Sequence, residues 1–344
     1  MKRFIEQFFS GERSSSQEKH FADSKMALTL VSLSLGVLLT SCQGENSVNS
    51  KEGLKLGVLA PITGDLASIG RNLPTAVQLA VDAINECGGV NEAEVTLITE
   101  DSQTDPRAGS EAMTELIEDE GVAGVVGAFT NSVSKAALDI AVDKQVMMIS
   151  PGSTSSEFTE GAKNHEFDGF WARTAPSDIY QSQALATLAR NQGFNEVATV
   201  VINNGYGIDF ETEFVTDFKQ AGGNVVGKAI RYDPQAASLA NEAKAIFQGK
   251  PDAVLAVLYG QTGSSLLKSA FEEGYINDVT FLLTDRVYSE NFIEQVGKTD
   301  QGKSLIAGAL GIVPRANGQG LDQFQALWNQ KTGEEITAYV PHNW

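Results

Sequence analysis

A run of hydroxyl-bearing residues, in the segment MISPGSTSSEFT at positions 148–159, is the part of the sequence best suited to hold a small polar group. The segment begins as an apolar, strand-like run, passes through Pro151 and Gly152, and continues into serines and threonines. Hydroxyls and free backbone N–H groups can replace water around an anion, whereas nucleophilic catalysis by a hydroxyl needs a base beside it. The segment contains no histidine, so it indicates anion binding rather than covalent chemistry.

Further polar side chains follow other apolar runs at the point where each run ends. Ligands of open parallel sheets bind beyond the carboxyl ends of the strands, so residues at these positions meet at one edge. Asparagine and hydroxyls suit a carboxylate, whereas tyrosine rings and an acid suit an organic cation. Taken singly, each residue is typical of a helix cap or a turn, but together they indicate a site for a zwitterion. The set comprises Asn131, Ser132, Gly152, Ser153, Thr154, Tyr206, Tyr259 and Asp285.

The body of the chain alternates these apolar runs with helical patterns. One helical pattern, in residues 72–86, repeats apolar residues three and four positions apart, at Leu73, Ala76, Val77, Ala80 and Ile84. The alternation predicts an α/β fold with parallel sheets covered by helices on both faces, and a break at 169–178 predicts two such sheets. The predicted strands are residues 54–60, 95–100, 123–129, 146–150, 197–202, 225–230, 252–258, 279–283 and 305–310.

Composition limits the classes of function that the chain can have. Its 344 residues suit two ordinary domains, and a hydrophobic content of 42% is enough to fill their cores. The net charge of −19, from 25 basic and 44 acidic residues, would repel phosphate backbones and anionic lipid headgroups. We therefore expect no nucleic-acid partner, and the acidity itself is typical of a solvated surface.

The amino-terminal region carries the pattern of an export signal. Residues 27–39 form an uncharged apolar run of about 13 residues, which is shorter than the roughly 20 that span a bilayer. The following LTSC, ending at Cys42, resembles the bacterial lipobox, in which the cysteine is lipidated and becomes the mature amino terminus. The alternative is an ordinary signal peptide with a coincidental cysteine. The polar stretch before the apolar run is longer than is usual in a signal peptide. Translation that begins at Met1 and translation that begins further along the chain are therefore both open.

Cysteine usage agrees with a lipid anchor. Cys42 and Cys87 are the two cysteines of the chain, so lipidation of the first leaves the second without a disulfide partner. Residues 43–52 are polar and lack aromatic side chains, as expected for a flexible tether between an anchor and a folded body.

Three segments of the chain together resemble a known family of proteins. They are GVLAPITGDLASIGRNLPTAVQLAVDAINECGGVN, GVVGAFTNSVSKAALDIAVDKQVMMISPGSTSSEFT and FWARTAPSDIYQSQALA. Their order and spacing resemble the solute-binding proteins of branched-chain and polar amino-acid ABC transporters, from about residue 54 to the end. The resemblance implies the type I periplasmic binding fold, in which two α/β lobes joined by hinge strands close over a ligand. It implies no cofactor and no metal.

The resemblance also implies roles for the residues at the strand ends. The family's carboxylate-binding turn matches Asn131 and Ser132 together with Gly152, Ser153 and Thr154. The tyrosines over the ligand match Tyr206 and Tyr259, and the acid that meets the ligand's ammonium matches Asp285. Two positions depart from the family: Asn131 stands where a serine is usual, and Arg286 stands where a glycine is common. Arg286 could pair with Asp285 or reach an anionic side chain of the ligand.

The expected organisation follows from the resemblance. The family continues beyond the segment that matches AYVPHNW, so the chain is expected to be incomplete at its carboxyl end. The predicted regions are a signal region at 1–41, a tether at 42–52, a first lobe at 53–173, a second lobe at 174–308 and a return to the first lobe at 309–344.

Enzymatic function is a weaker interpretation. SVSK at 132–135 and KTG at 331–333 fit motifs of penicillin-recognising enzymes, but S-x-x-K also recurs at 16–19 and 265–268, and the KTG ends a helical pattern. The three histidines lack metal-ligand spacing, and no Walker A, H-E-x-x-H, C-x-x-C or G-x-S-x-G motif is present. A sensory ligand-binding module is a further alternative. We expect an exported, lipid-anchored, monomeric receptor that binds a small amino acid or related amide and delivers it to an ABC permease.

Overall fold

The computed structural model describes residues 53–274, 279–316, 319–334, 336 and 339–343 of the chain. The predicted signal region and the whole of the predicted tether, including Cys42, lie outside the described residues. In the part of the chain that is described, no helix has both the length and the apolar character needed to cross a bilayer.

Five strands form the first sheet. They are β1 (Lys55–Ala60), β2 (Thr96–Asp101), β3 (Gly124–Gly127), β4 (Met147–Ser150) and β5 (Trp171–Arg173). All of them run parallel, in the order β2-β1-β3-β4-β5. The strand order changes direction between β1 and β3, and the crevice of a doubly wound sheet lies at such a point.

Six strands form the second sheet. They are β6 (Glu196–Ile202), β7 (Asn224–Val225), β8 (Ile230–Tyr232), β9 (Ala253–Val257), β10 (Thr280–Leu283) and β11 (Leu310–Gly311). This sheet is also parallel, in the order β11-β10-β9-β6-β7 with β8 paired to β6. Its direction changes between β6 and β9. The predicted fold class, two doubly wound parallel sheets, is confirmed.

Helices connect the strands of both sheets. The first sheet carries α1 (Ala67–Gly70), α2 (Leu73–Glu86), α3 (Pro106–Thr114), α4 (Asn131–Asp143) and α5 (Glu157–Lys163). The second carries α6 (Asp178–Asn191), α7 (Gly205–Gln220), α8 (Ala240–Ala245), α9 (Gly260–Glu272) and α10 (Glu290–Val296). A π-helical turn at Glu115–Asp119 extends α3, and a 3₁₀ turn at Asp285–Val287 follows β10. After β11 come α11 (Gln319–Thr332) and a 3₁₀ turn at Val340–Asn343, both of which contact α2.

The helix α2 shows how the sequence pattern becomes packing. Pro74 lies in its first turn, where a missing N–H costs nothing, and the helix ends before Gly88 and Gly89, both with positive φ. Its buried residues are Leu73, Ala76, Val77, Leu79 and Val81. The predicted apolar stripe is therefore right for its first half, whereas Ile84 is exposed.

The core of the second lobe is built on strands that are apolar along their whole length. Every residue of β9 is fully buried, as expected for a central parallel strand covered by helices on both faces. Phe210, Phe214 and Phe218, all on α7, are also fully buried. Removing that much apolar surface from water fixes the positions of the loops that leave β6 and β9.

Two strand predictions are wrong, and one strand was missed. The predicted strand 225–230 is two short strands, β7 and β8, because Gly227 between them has a φ of 77°, outside the extended region. The predicted strand 305–310 contains turns, with Gly308 at a φ of 95°, and β11 begins only at its last residue. The strand β5 was not predicted, because three residues that include an arginine carry no readable alternation.

Candidate ligand site between the two sheets

The loops at the carboxyl ends of the two sheets contact each other. Arg286, after β10, donates a hydrogen bond through Nη2 to the carbonyl oxygen of Gly152, after β4. Ser155 donates from its hydroxyl to Oδ2 of Asp209 on α7 at 2.7 Å. Both contacts join the first sheet's loops to the second sheet's elements, so the strand-end residues of the two lobes enclose one region.

The hydroxyl-rich turn after β4 is held mainly by its own side chains. Ser150 Oγ donates to the carbonyl oxygen of Ala128 at 2.6 Å and accepts from the backbone N–H of Ser153 at 2.8 Å. Ser153 Oγ donates to Ser134 Oγ at 2.7 Å. The backbone N–H of Thr154 donates to Oδ1 of Asn131 at 2.7 Å. The N–H groups that the sequence led us to expect free for an anion are thus bonded within the protein.

Two polar atoms of this region remain without a hydrogen-bond partner among the described residues. They are Oγ1 of Thr154 and Nδ2 of Asn131, and both are buried. Asn131 opens α4, with Thr130 as its N-cap, and Ser132 follows it in a half-buried position. Gly152 is required by packing, since a Cβ there would lie 2.5 Å from the ring of Phe129. The turn therefore presents side-chain donors rather than backbone donors.

Asp285 lies where the sequence predicts it, in the loop after β10, and is 1% exposed. The Tyr206 hydroxyl lies 3.1 Å from Oδ1, and the Tyr339 hydroxyl donates to Oδ2. Burial raises the pKa of the Asp285 carboxyl, and the positive charge of Arg286 opposes this shift only in part. Each carboxylate oxygen of Asp285 therefore already has a phenol as its partner.

Arg286 is 2% exposed, and its guanidinium lies among three aromatic rings. Its Cζ is 4.5 Å from the ring centroid of Phe129, 4.6 Å from that of Tyr339 and 5.1 Å from that of Tyr206. Such ring faces attract a cation through their quadrupole. Nε and Nη1 are buried with no hydrogen-bond partner in the described part of the chain, where no ion pair involving Arg286 is found either.

Asp178 is a further buried acid that the sequence did not single out. It is the first residue of α6, the helix that follows the short strand β5, and its side chain is fully buried. Neither carboxylate oxygen lies within good hydrogen-bond geometry of a described residue. Burial raises the pKa of Asp178 well above its ordinary value, and the neighbouring charge of Asp285 adds to the shift. The Thr154 hydroxyl and the charge of Arg286 both oppose part of this rise in the pKa. An acid in this state favours its neutral form.

The two predicted tyrosines lie together but differ in their surroundings. Their rings stack with centroids 5.9 Å apart, and both side chains are buried. Tyr206 contacts Asp285 and Arg286, as described above. Tyr259 precedes α9 and lies behind Tyr206, and burial raises the pKa of its hydroxyl to about 12.

A cavity of about 170 Å³ adjoins these residues. Its polar wall consists of Thr154, Gln181, Asp285 and Tyr339. Its apolar wall consists of Pro176, Tyr180, Ile312, Val313 and Pro314. Gln181 also donates through Nε2 to the carbonyl oxygen of Ile312 at 2.7 Å, which fixes the segment after β11 against α6. The cavity can thus hold a small ligand with an apolar body and a polar end.

The structure brings together most of the predicted site residues and adds others. Of the predicted set, Thr154 and Asp285 line the cavity, Asn131 and Tyr206 bond to these two residues, and Gly152 bonds to Arg286. Ser153 and Tyr259 are bonded or stacked within the protein. The residues that sequence reasoning missed are Phe129, Asp178, Gln181 and Tyr339. Phe129 could have been found, since it follows β3 directly, whereas Tyr339 lies far along the chain in a segment with no strand signal.

The S-x-x-K motif at 132–135 lacks the geometry of a catalytic pair. Lys135 is exposed and its Nζ lies 2.8 Å from Oε2 of Glu157, a contact that raises the pKa of the lysine. A lysine that acts as a base needs a lowered pKa. The KTG sequence lies at the end of α11 instead of on a strand.

Comparison with known proteins identifies the family of this chain. Residues 53–344 match the model of a family described as periplasmic binding protein. A Leu/Ile/Val-binding protein homolog 7 from Brucella abortus (strain 2308) is 26% identical over 75% of this chain and 62% of its own length. Among such relatives, the chain spans between 29% and 62% of the relative's length.

Solved structures share the fold. LivJ from Streptococcus pneumoniae in complex with isoleucine has a TM-score of 0.72 at 20% identity, covering 85% of this chain and 81% of that chain. A solute-binding protein of an ABC transporter from R. palustris, in complex with 4-hydroxybenzoate, has a TM-score of 0.71 at 22% identity, covering 85% and 77%. Because the family model matches most of the sequence, the chain belongs to the periplasmic binding protein family.

Proposed function

We propose that the protein is an extracytoplasmic receptor that captures a small carboxylate-bearing solute between its two lobes and presents the closed form to an ABC permease. The solute class includes amino acids and related acids. The observation that carries the proposal is a set of buried polar atoms without hydrogen-bond partners, on Thr154, which lines the cavity, and on Asn131, Asp178 and Arg286, which contact or adjoin residues of its wall. Buried polar groups are nearly always hydrogen-bonded in proteins, so such a cluster beside a cavity supports binding of a polar ligand.

The relatives support the same class of function. Their names describe binding proteins for leucine, isoleucine and valine, and one structural neighbour holds isoleucine while another holds 4-hydroxybenzoate. These ligands share a carboxylate attached to an apolar body. We extend that class, and the absence of a catalytic step, to this chain as a proposal.

The anchoring proposal rests on the amino-terminal sequence. We infer that Cys42 carries the lipid and that residues 43–52 tether a monomeric binding body to the outer face of the membrane. An exported receptor fixed beside its permease recaptures ligand at a high effective concentration, which fits a transport role.

A thermal-shift panel tests the proposed function. A ligand that binds the folded state raises the melting temperature by mass action, by an amount that grows with its concentration relative to Kd. We expect at least one compound among aliphatic amino acids, short aliphatic acids and benzoates to raise the melting temperature. A micromolar Kd corresponds to a binding free energy of about −8 kcal/mol. No shift with any member of the panel would contradict a small-solute receptor.

A further inference from the structure

The cation-binding features of the site are already occupied by the protein's own arginine. Three ring faces, on Phe129, Tyr206 and Tyr339, and one carbonyl oxygen, on Gly152, converge on the guanidinium of Arg286. Ring faces and a carbonyl oxygen are the groups that would bind the ammonium of an amino acid. With Arg286 in place, they are engaged.

The acid of the site is engaged as well. Each oxygen of Asp285 has a tyrosine hydroxyl as a partner, and the guanidinium of the next residue supplies the nearest positive charge. An ammonium brought to Asp285 would displace a phenol and would lie close to a buried guanidinium. Like charges at short range in a poorly solvated site repel strongly, so this arrangement disfavours a cationic group on the ligand.

The atoms left without partners are mostly donors. Arg286 has Nε and Nη1, Thr154 has its hydroxyl, and Asn131 has Nδ2. Thr154 lines the cavity, and Arg286 lies next to it in the structure, since its Nη2 bonds to Gly152 in the same turn and its neighbour Asp285 also lines the cavity. The acceptor among them is the carboxyl of Asp178; burial favours its protonated form, although the Thr154 hydroxyl and the charge of Arg286 act on it in the opposite direction. Such a surplus of donors is suited to an anion.

We propose that the ligand is a small monocarboxylic acid with an apolar body and no amino group, held by Arg286 and Thr154. This inference rests on the proposed receptor function and narrows its ligand class. The carboxylate meets the unpartnered donors at the Thr154 corner, and the apolar body lies against Ile312, Val313 and Pro314. The guanidinium of Arg286 provides a positive charge in the site, as the α-ammonium group of an amino-acid ligand would.

Calorimetry with matched ligand pairs tests this assignment. The wild-type protein is titrated with 3-methylbutanoate and valine, with 4-methylpentanoate and leucine, with benzoate as the aromatic acid, and with glutamate as an amino acid with an acidic side chain. Each aliphatic pair shares its apolar body and differs in the α-ammonium. We expect an acid, aliphatic or aromatic, to bind at least about tenfold more tightly than any amino acid, which is the scale of one charge-assisted hydrogen bond.

A variant of Arg286 sharpens the test. Arg286→Gln removes the charge and keeps much of the side-chain length, and it should weaken acid binding by about tenfold or more while reducing the preference over the amino acid. Arg107→Gln is the control, because that arginine is exposed on α3 and pairs only with Glu111 in the described structure. It should leave the preference unchanged. If Arg286→Gln does not fold, the wild-type comparison still decides.

The outcomes separate this inference from the proposed function. Tighter binding of valine or leucine than of the matched acid would overturn the inference and leave the receptor function standing. Glutamate as the tightest ligand would also overturn it, because Arg286 would then meet an acidic side chain. Failure of the folded wild-type protein to bind any of these compounds would overturn the proposed function, and the inference with it.

Discussion

Asp65 accepts a hydrogen bond through Oδ1 from the backbone N–H of Thr262 at 3.0 Å, so a loop of the first lobe caps a helix of the second. The same oxygen accepts from the N–H of Gln261 at 2.8 Å. These N–H groups belong to the first turn of α9, where no partner exists within the helix. The contact joins the two lobes without touching the proposed ligand, so we expect it to form when the lobes close and to break when they open.

Replacing Asp65 by alanine should therefore lower ligand affinity from a distance. Loss of a helix cap costs about 1 to 2 kcal/mol, and here that energy favours the closed state over the open one. We expect the apparent affinity to fall several-fold in calorimetry, because a smaller fraction of the protein is competent to close.

Asp105→Ala is the matched control for this prediction. Asp105 caps α3 through the N–H groups of Arg107 and Ala108, both at 2.9 Å, entirely within the first lobe. That variant should lower the melting temperature with little change in affinity. Equal effects of the two variants on affinity would show that the Asp65 contact has no special part in closure.

The hydroxyl of Thr154 should matter for binding and not for folding. Thr154→Val keeps the shape of the side chain and removes a buried hydroxyl that has no partner in the described structure. We expect a loss of about 1 to 3 kcal/mol in binding, since the ligand's anion loses a donor, with stability unchanged or slightly increased. Paired calorimetry and thermal melts on one preparation measure both.

Ser153→Ala gives the contrasting result. Its hydroxyl donates to Ser134 Oγ on α4 at 2.7 Å, so its removal should lower the melting temperature more than it lowers ligand affinity. If Thr154→Val binds as tightly as the wild type, Thr154 is a turn residue rather than a ligand residue.

Thr154 and Ser153 also show how much of the fold and of the site can be predicted from the sequence. Strand runs such as residues 252–258 predicted the sheets because fully buried parallel strands are continuously apolar, and the polar residues after them do meet. The hydrogen bonds of the turn were not predictable, because the partners Asn131 and Ser134 lie about twenty residues away and meet the turn only through the pairing of β3 with β4. The aromatic enclosure of Arg286 likewise joins three distant segments, one of which has no strand or helix signal.

The pH dependence of stability should reveal the buried carboxyl of Asp178. Its pKa is raised well above the ordinary 3.8, so the stability it contributes is complete below that value and is lost as pH rises through the folded pKa. In the ligand-free protein, the melting temperature should therefore fall less steeply above pH 3.8 in Asp178→Asn than in the wild type. At neutral pH the variant should have the higher melting temperature.

Asp101 provides a control of opposite sign. Burial alone would raise its pKa, but hydrogen bonds from Thr63, Gln103 and Ile62 outweigh burial and lower it. Its contribution is present above the ordinary value and is lost as pH falls, so Asp101→Asn should destabilise most at neutral pH. A melting profile for Asp178→Asn parallel to that of the wild type would show that Asp178 does not titrate with a raised pKa.

The anchoring proposal makes a prediction about Cys42. Cys42→Ser removes the thiol to which the lipid would attach, so fatty-acid labelling should disappear and the protein should be released in soluble form or remain as uncleaved precursor. Cys87→Ser is the control, since Cys87 is exposed on the folded body and should not affect labelling. Labelling that persists in Cys42→Ser would refute the lipobox interpretation.

A crystal structure of the protein with the tightest ligand from the calorimetric series would show directly where the carboxylate of the ligand binds. We predict that the ligand lies between the two sheets, with its carboxylate oxygens within hydrogen-bond distance of Thr154 Oγ1 and of Nε or Nη1 of Arg286. Its apolar body should contact Ile312 and Val313. A ligand bound outside this cleft, or one whose carboxylate lies away from both Thr154 and Arg286, would contradict the account.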